Sequence, residues 1–64
     1  MHDSIVFIDG NDPGQAYRGT RTQYESRQEQ SGNVTLVSPS LIEGEFVRVP
    51  FKNGVHEMWA IETL

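Results

Sequence analysis

Five side chains between positions 17 and 27 combine aromatic rings with guanidinium groups, a combination that can contact nucleic acid. Tyrosine rings stack on unpaired bases and arginines contact phosphates, as on many small β-sheet surfaces. The spacing predicts one candidate function, the binding of single-stranded nucleic acid or RNA by a small β-barrel. Against it, the formal net charge is −4, and Glu25 and Glu29 accompany the segment. The five residues are Tyr17, Arg18, Arg21, Tyr24 and Arg27.

Catalytic chemistry has few candidates in this chain. Glu43 and Glu45 would point to the same side of an extended segment, and paired carboxylates can divide acid and base roles. Their pKa values would need a cleft to be shifted, so we expect solvated charges flanking Gly44. Neither histidine stands with a nucleophile and a third group in a triad pattern, and cysteine is absent. We therefore expect no enzyme, no metal site and no cofactor.

A second candidate surface depends on a hairpin in the last third of the chain. Asn53 followed by Gly54 favours a two-residue type I′ turn, because both residues reach positive φ with little strain. With these two residues as the loop, Arg48 lies opposite Trp59. Alternation along the strands then gives two faces. The predicted core face carries Val47, Val49, Phe51, Met58 and Ala60.

The other face of this hairpin is the predicted partner-binding site. Trp is enriched at interface hot spots, and an exposed Arg48 stacked on Trp59 would contribute about 0.5–1 kcal/mol as a cation–π pair. We therefore predict a protein-binding module, or a small accessory or inhibitory subunit, that docks on a larger partner. The predicted binding residues are Arg48, Lys52, Glu57 and Trp59.

An inhibitor could instead use its acidic surface. Its carboxylates would occupy a cationic groove on a nucleic-acid-handling protein, although a net charge of −4 produces only a modest field. The carboxylates that would carry this interaction are Asp9, Asp12, Glu43 and Glu45.

Short apolar segments bounded by polar turns indicate one β-rich domain over residues 1–64. Residues 5–8 predict a buried strand. Residues 34–37 predict another strand, which Pro39 ends, and residues 41–42 begin a connection or short strand. Four or five such strands favour an all-β fold. It would be a small SH3-like barrel or a curled antiparallel sheet, with the Asn53-Gly54 hairpin at its C-terminal end.

Residues 15–31 fit two structures. Alternation of Thr20, Thr22 and Tyr24 favours a polar edge strand. The alternative is an α+β fold with one short helix at about 22–30, because Thr22 and Glu25 match a capping box and Gly32 could end the helix. Since only Tyr24 is available for burial, the prediction leans towards extended structure.

Length and composition restrict the setting and the partners. Sixty-four residues of which 36% are hydrophobic give one thin core, so docking or homo-oligomerisation would add stability. No stretch approaches the roughly 20 apolar residues that cross a bilayer, and no basic region typical of a signal peptide precedes residue 5. The absence of cysteine suits a reducing compartment. We expect an acidic cytoplasmic protein, away from membranes, with a protein partner favoured over nucleic acid.

Overall fold

The computed structural model describes residues 4–64 and contains one sheet and one α-helix. The helix, α1, covers Arg21–Ser31. The strands are β1 (Ile5–Asp9), β2 (Gln15–Gly19), β3 (Val34–Leu36), β4 (Ile42–Glu43), β5 (Phe46–Pro50) and β6 (His56–Thr63). They are ordered β3-β1-β2-β6-β5-β4, and the sheet curls into a half-barrel. The predicted small β-rich fold is confirmed, with the short helix of the α+β alternative.

One pair of strands departs from the predicted antiparallel arrangement. Strands β2 and β6 run parallel, with Gln15 opposite Ala60 and Arg18 opposite Thr63, whereas the other four pairs are antiparallel. Parallel neighbours need a long crossover connection, and α1, β3, β4 and β5 all lie between β2 and β6 in sequence. The sheet also has six strands, rather than the four or five predicted.

Residues 15–31 form a strand and then a helix, so the predicted extended structure is wrong from position 21. The capping residue is Thr20, whose Oγ1 accepts from the Gln23 N–H at 3.2 Å. The Gln23 Oε1 in turn accepts from the Thr20 N–H at 2.7 Å. This reciprocal capping box stabilises the first turn, and it stands two positions before the predicted pair, Thr22 and Glu25.

The far end of α1 agrees with the prediction. Gly32 takes a φ of 73°, a left-handed conformation that glycine adopts at least cost. Both ends of the helix are thus capped, which compensates for its low apolar content. No helix within residues 4–64 combines the length and hydrophobicity needed to span a membrane.

Strands β1 and β2 are buried on both faces. On one face, Phe7, Tyr17 and Val34 form a cluster that α1 covers with Tyr24, whose ring meets Phe7 edge-on at 5.7 Å between centroids. The opposite face holds the larger cluster. It consists of Val6, Ala16, Val47, Val49, Trp59 and Ile61. This double burial confirms the prediction for residues 5–8.

The hairpin between β5 and β6 turns through three residues rather than two. The Phe51 N–H donates to the Val55 carbonyl at 2.8 Å, and the Gly54 N–H donates to the Phe51 carbonyl at 3.0 Å. Gly54 alone supplies a positive φ, of 83°, as in a type I turn followed by a left-handed residue. Asn53 instead accepts the Val55 N–H on its Oδ1 at 3.1 Å. The loop is therefore residues 52–54.

This longer loop shifts the strand pairing by one residue and exchanges the two faces of β6 relative to β5. Trp59 lies opposite Val47 instead of Arg48 and is only 7% exposed. The prediction that Trp59 lies on the outer face is therefore wrong, while Val47 and Val49 lie in the core as predicted. The members of the predicted core that are exposed instead are Phe51, Met58 and Ala60.

Candidate functional site

The tyrosine and arginine segment does not form one continuous surface. Tyr17 is buried and Tyr24 is half-buried beneath α1. Arg18 projects from the opposite face of β2, where its Nη1 lies 3.9 Å from the Glu45 Oε1. Arg21 is exposed at the start of the helix. The structure therefore separates the rings from two of the arginines, and nucleic-acid binding stays a prediction.

Arg27, the last member of that segment, joins α1 to the turn after β1. Its Nε donates to the Asp9 Oδ2 at 3.0 Å and its Nη2 to the Asp12 Oδ2 at 3.3 Å. Its guanidinium carbon lies 4.5 Å from the centre of the Tyr17 ring, in cation–π geometry. The Tyr17 hydroxyl donates to the same Asp12 oxygen at 2.6 Å. We call these four residues the polar clamp.

Asp9 is the most deeply buried member of the polar clamp, with 3% of its surface exposed. Its Oδ1 accepts from the Ser31 hydroxyl at 2.6 Å and from the Asn11 N–H at 2.9 Å. The Ser31 hydrogen bond, followed by those from Asn11 and Arg27, lowers the pKa of Asp9 below its ordinary value, although burial acts in the opposite direction. Asp9 is therefore not the exposed carboxylate that the sequence predicts, and inhibition through an acidic surface stays a prediction.

The pKa values of Tyr17 and Arg27 are both raised by contacts within the polar clamp. The hydrogen bond to Asp12 raises the pKa of Tyr17, and burial adds to this effect. The hydrogen bond to Asp9 raises the pKa of Arg27. At neutral pH the Tyr17 phenol of the clamp is therefore neutral. Within residues 4–64, every buried side-chain nitrogen or oxygen has a hydrogen-bond partner. The contacts of the clamp attach α1 to β1 and to the turn after it.

The four residues predicted to bind a partner lie at different places on the hairpin. Arg48 is on the outer face, with its Nε 3.0 Å from the Glu43 Oε2. Lys52 begins the loop. Glu57 lies on the core-side face, and its Oε1 accepts from the Trp59 Nε1 at 3.0 Å. The predicted stacking of Arg48 on Trp59 is therefore wrong, and partner binding by these residues stays a prediction.

The one-residue shift places Met58 and Ala60, which the sequence pattern assigns to the core, on an exposed face beside Phe46. Tyr17 faces α1 and pairs with Glu62, so alternate residues of β6 share the helix side of the sheet. The helix packs on β1 and β3 and leaves this part uncovered. Phe46 is 47% and Met58 is 49% exposed. We define the docking face as Phe46, Arg48, Met58 and Ala60.

The outer half of the hairpin projects beyond its neighbours. Strand β4 pairs with β5 only at Phe46 and Val47, and β2 pairs with β6 only from Ala60 onwards. Residues 48–59, which we call the hairpin arm, therefore have no strand on either outer edge among the described residues. Near its tip, the large apolar side chains of Phe51 and Val55 are exposed on the core-side face.

An apolar cavity of about 270 Å³ is lined by residues of β3 and β4, the two outer strands of the sheet. Its lining also includes the start of β1 and the short 3-10 turn between the outer strands. The lining residues are Ser4, Ile5, Val6, Leu36, Val37, Pro39 and Ile42.

Comparisons with protein-family models, with curated proteins and with solved structures give no match. Within residues 4–64, no group of three or more His, Cys, Asp or Glu side chains is arranged to hold a metal ion.

Proposed function

We propose that this chain is a non-enzymatic protein-binding module, an accessory or inhibitory subunit that docks on a larger protein through the docking face. The supporting observation is the half-exposure of Phe46 and Met58 on a sheet face that α1 leaves uncovered. Grouped apolar side chains with a polar rim are typical of interaction sites. Arg48 supplies such a polar rim. It is the one predicted binding residue that also belongs to the docking face.

The distribution of charge indicates the chemistry of the partner. The hairpin arm contains two basic residues, Arg48 and Lys52, and one acidic residue, Glu57. Its formal charge is +1, which leaves −5 on the rest of a chain whose total is −4. Exposed ion pairs such as Arg48 with Glu43 contribute only about 0–1 kcal/mol, so Arg48 can exchange Glu43 for a partner's carboxylate. The proposed partner presents apolar side chains to Met58 and an acidic group to Arg48.

The proposed setting is the cytoplasm. A chain without cysteine suits a reducing compartment. The net charge of −4 weakens attraction to phosphate backbones and to anionic lipid surfaces. These features favour a protein as the partner.

Site-specific photo-crosslinking tests the docking face. A photoreactive residue placed at Met58 should form a covalent adduct with a protein in lysate, and the adduct is then identified by mass spectrometry. The same residue placed at Glu29, on the exposed side of α1, is the matched control and should not give this adduct.

The identified partner is then purified and titrated against the parent chain, Met58→Asp and Glu29→Gln. Met58→Asp should raise the dissociation constant about tenfold or more, as truncation of an interface anchor does, and Glu29→Gln should leave it unchanged. Equal affinity for all three chains would show that the docking face is not the binding site.

A further inference from the structure

We propose that the tip of the hairpin arm, Phe51 with Val55, inserts into the apolar cavity between β3 and β4 of a second copy, and that two copies do so reciprocally. This contact uses the core-side face of the arm. It therefore goes beyond the proposed function, which uses the opposite face.

The cavity has the size and the lining that an apolar side chain requires. Its volume is about 270 Å³ and its walls come from aliphatic side chains such as Val6, Val37 and Ile42. An apolar cavity of about 150 Å³ already takes up benzene, so there is room for the Phe51 ring, which would leave its contact with the Trp59 ring of its own chain, at 6.5 Å between centroids. Leu36, which is half-exposed at the cavity, would become covered.

The arm of a given chain cannot fill that chain's own cavity. Ile42 at the cavity lies opposite Val47, and Phe51 stands four positions further along the same strand. At about 3.3 Å per residue, the tip lies about 13 Å beyond this level. The hydrogen bond from the Phe51 N–H to the Val55 carbonyl closes the loop at this end of the arm. A second copy can bring an equivalent tip to the cavity.

Charge complementarity favours a second copy of this chain as the partner of the tip. The tip, residues 51–55, contains Lys52 and no acidic residue, so its formal charge of +1 is opposite in sign to the −5 on the rest of the chain. Arm and cavity belong to the same chain, so a two-fold axis can satisfy both contacts at once and close the assembly at two copies. A dimer of this kind would also add to a thin hydrophobic core.

The molar mass in solution tests the dimer, measured by analytical ultracentrifugation over a range of concentrations. The parent chain should reach twice the mass of one chain, with weaker association at high salt because the attraction is screened. Phe51→Asp in the arm and Leu36→Asp at the cavity should each raise the dissociation constant about tenfold or more. Val55→Asp replaces Phe51→Asp if circular dichroism shows that the latter does not fold.

Mixing the two variants identifies which surfaces meet. Phe51→Asp keeps an intact cavity and Leu36→Asp an intact arm, so their mixture should regain dimer through one of the two contacts. Met58→Ser, on the docking face, should dimerise like the parent. A parent chain that stays monomeric, a mixture that does not associate, or assemblies that grow beyond two copies would each overturn the reciprocal arrangement. None of these results would affect the docking face.

Discussion

The Arg27 Nε lies 3.0 Å from the Oδ2 of Asp9, and this contact joins the middle of α1 to the last residue of β1. The Asp9 side chain is almost fully covered, whereas the Arg27 side chain is 30% exposed. A covered carboxylate is tolerated only when its charge and its acceptor atoms are satisfied. Arg27, Ser31 and Asn11 meet this requirement, so a helix with little apolar surface is held in place by polar contacts.

Asp9→Asn should destabilise the fold at neutral pH and reduce its sensitivity to acid. Hydrogen bonds lower the pKa of Asp9 from its ordinary value of 3.8, so folding favours the ionised form. This contribution is present above the unfolded-state pKa and is lost as pH falls through the lower folded-state pKa. Thermal unfolding from neutral pH to about pH 2 measures the effect. Glu29→Gln, on the exposed side of α1, is the control, and an unchanged acid slope in Asp9→Asn would contradict the assignment.

Tyr17→Phe should destabilise the fold at neutral pH and reduce the dependence of its stability on alkaline pH. The hydrogen bond to Asp12 and then burial raise the pKa of Tyr17 above its ordinary value of 10.0, so folding favours the neutral phenol. Its contribution is fully present below the unfolded-state pKa and is lost as pH rises through the folded-state pKa. Loss of one such hydrogen bond should cost about 0.5–1.5 kcal/mol at neutral pH. Urea unfolding at neutral and alkaline pH measures both effects, with Tyr24→Phe as the aromatic control.

Thr20→Ala should destabilise the protein by about 0.5–2 kcal/mol, as the loss of a helix cap does. The Thr20 hydroxyl accepts the Gln23 N–H, whereas Thr22 is an exposed residue within α1. Thr22→Ala is therefore the matched control and should leave the free energy of unfolding unchanged or slightly increased, since Ala has the higher helix propensity. Urea titration of both variants gives the comparison. A greater loss in Thr22→Ala would support the capping box predicted from the sequence.

Two neighbouring substitutions in β6 distinguish the observed strand pairing from the predicted one. Trp59 is buried and Met58 is half-exposed. Trp59→Ala should therefore cost about 3–5 kcal/mol, enough to unfold much of a small domain, and Met58→Ala should stay within about 0.5 kcal/mol. Circular dichroism during urea unfolding follows both variants, because Trp59 is the only tryptophan. The reverse order of costs would show that Arg48 lies opposite Trp59.

The elements set by local signals were predictable from the sequence. The strand at residues 5–8 combines consecutive apolar side chains with a polar turn directly after it, and Gly32 ends a helix because glycine readily takes positive φ. The hairpin around Gly54 was also predicted, since a turn there needs a left-handed residue. Each of these signals lies within a few positions of the element that it specifies.

The polar clamp could not be predicted from the sequence. Asp9 and Arg27 are 18 positions apart, and only the packing of α1 across β1 brings them together. The parallel pairing of β2 with β6 likewise joins segments about 45 positions apart. Intrinsic propensity leaves both helix and strand open after Thr20, because it is a weak preference that tertiary contacts override.

The sequence by itself determined that the chain reverses near Asn53 and Gly54, and that apolar and polar residues alternate on both sides of the turn. Tertiary structure decided which alternate set lies inside. Loops of two and three residues are both common in hairpins, yet a change of one residue moves every side chain to the other face. Packing Trp59 opposite Val47 in the core cluster buries far more apolar surface than packing Met58 there would. Burial in the core therefore selected the three-residue loop and left Met58 exposed.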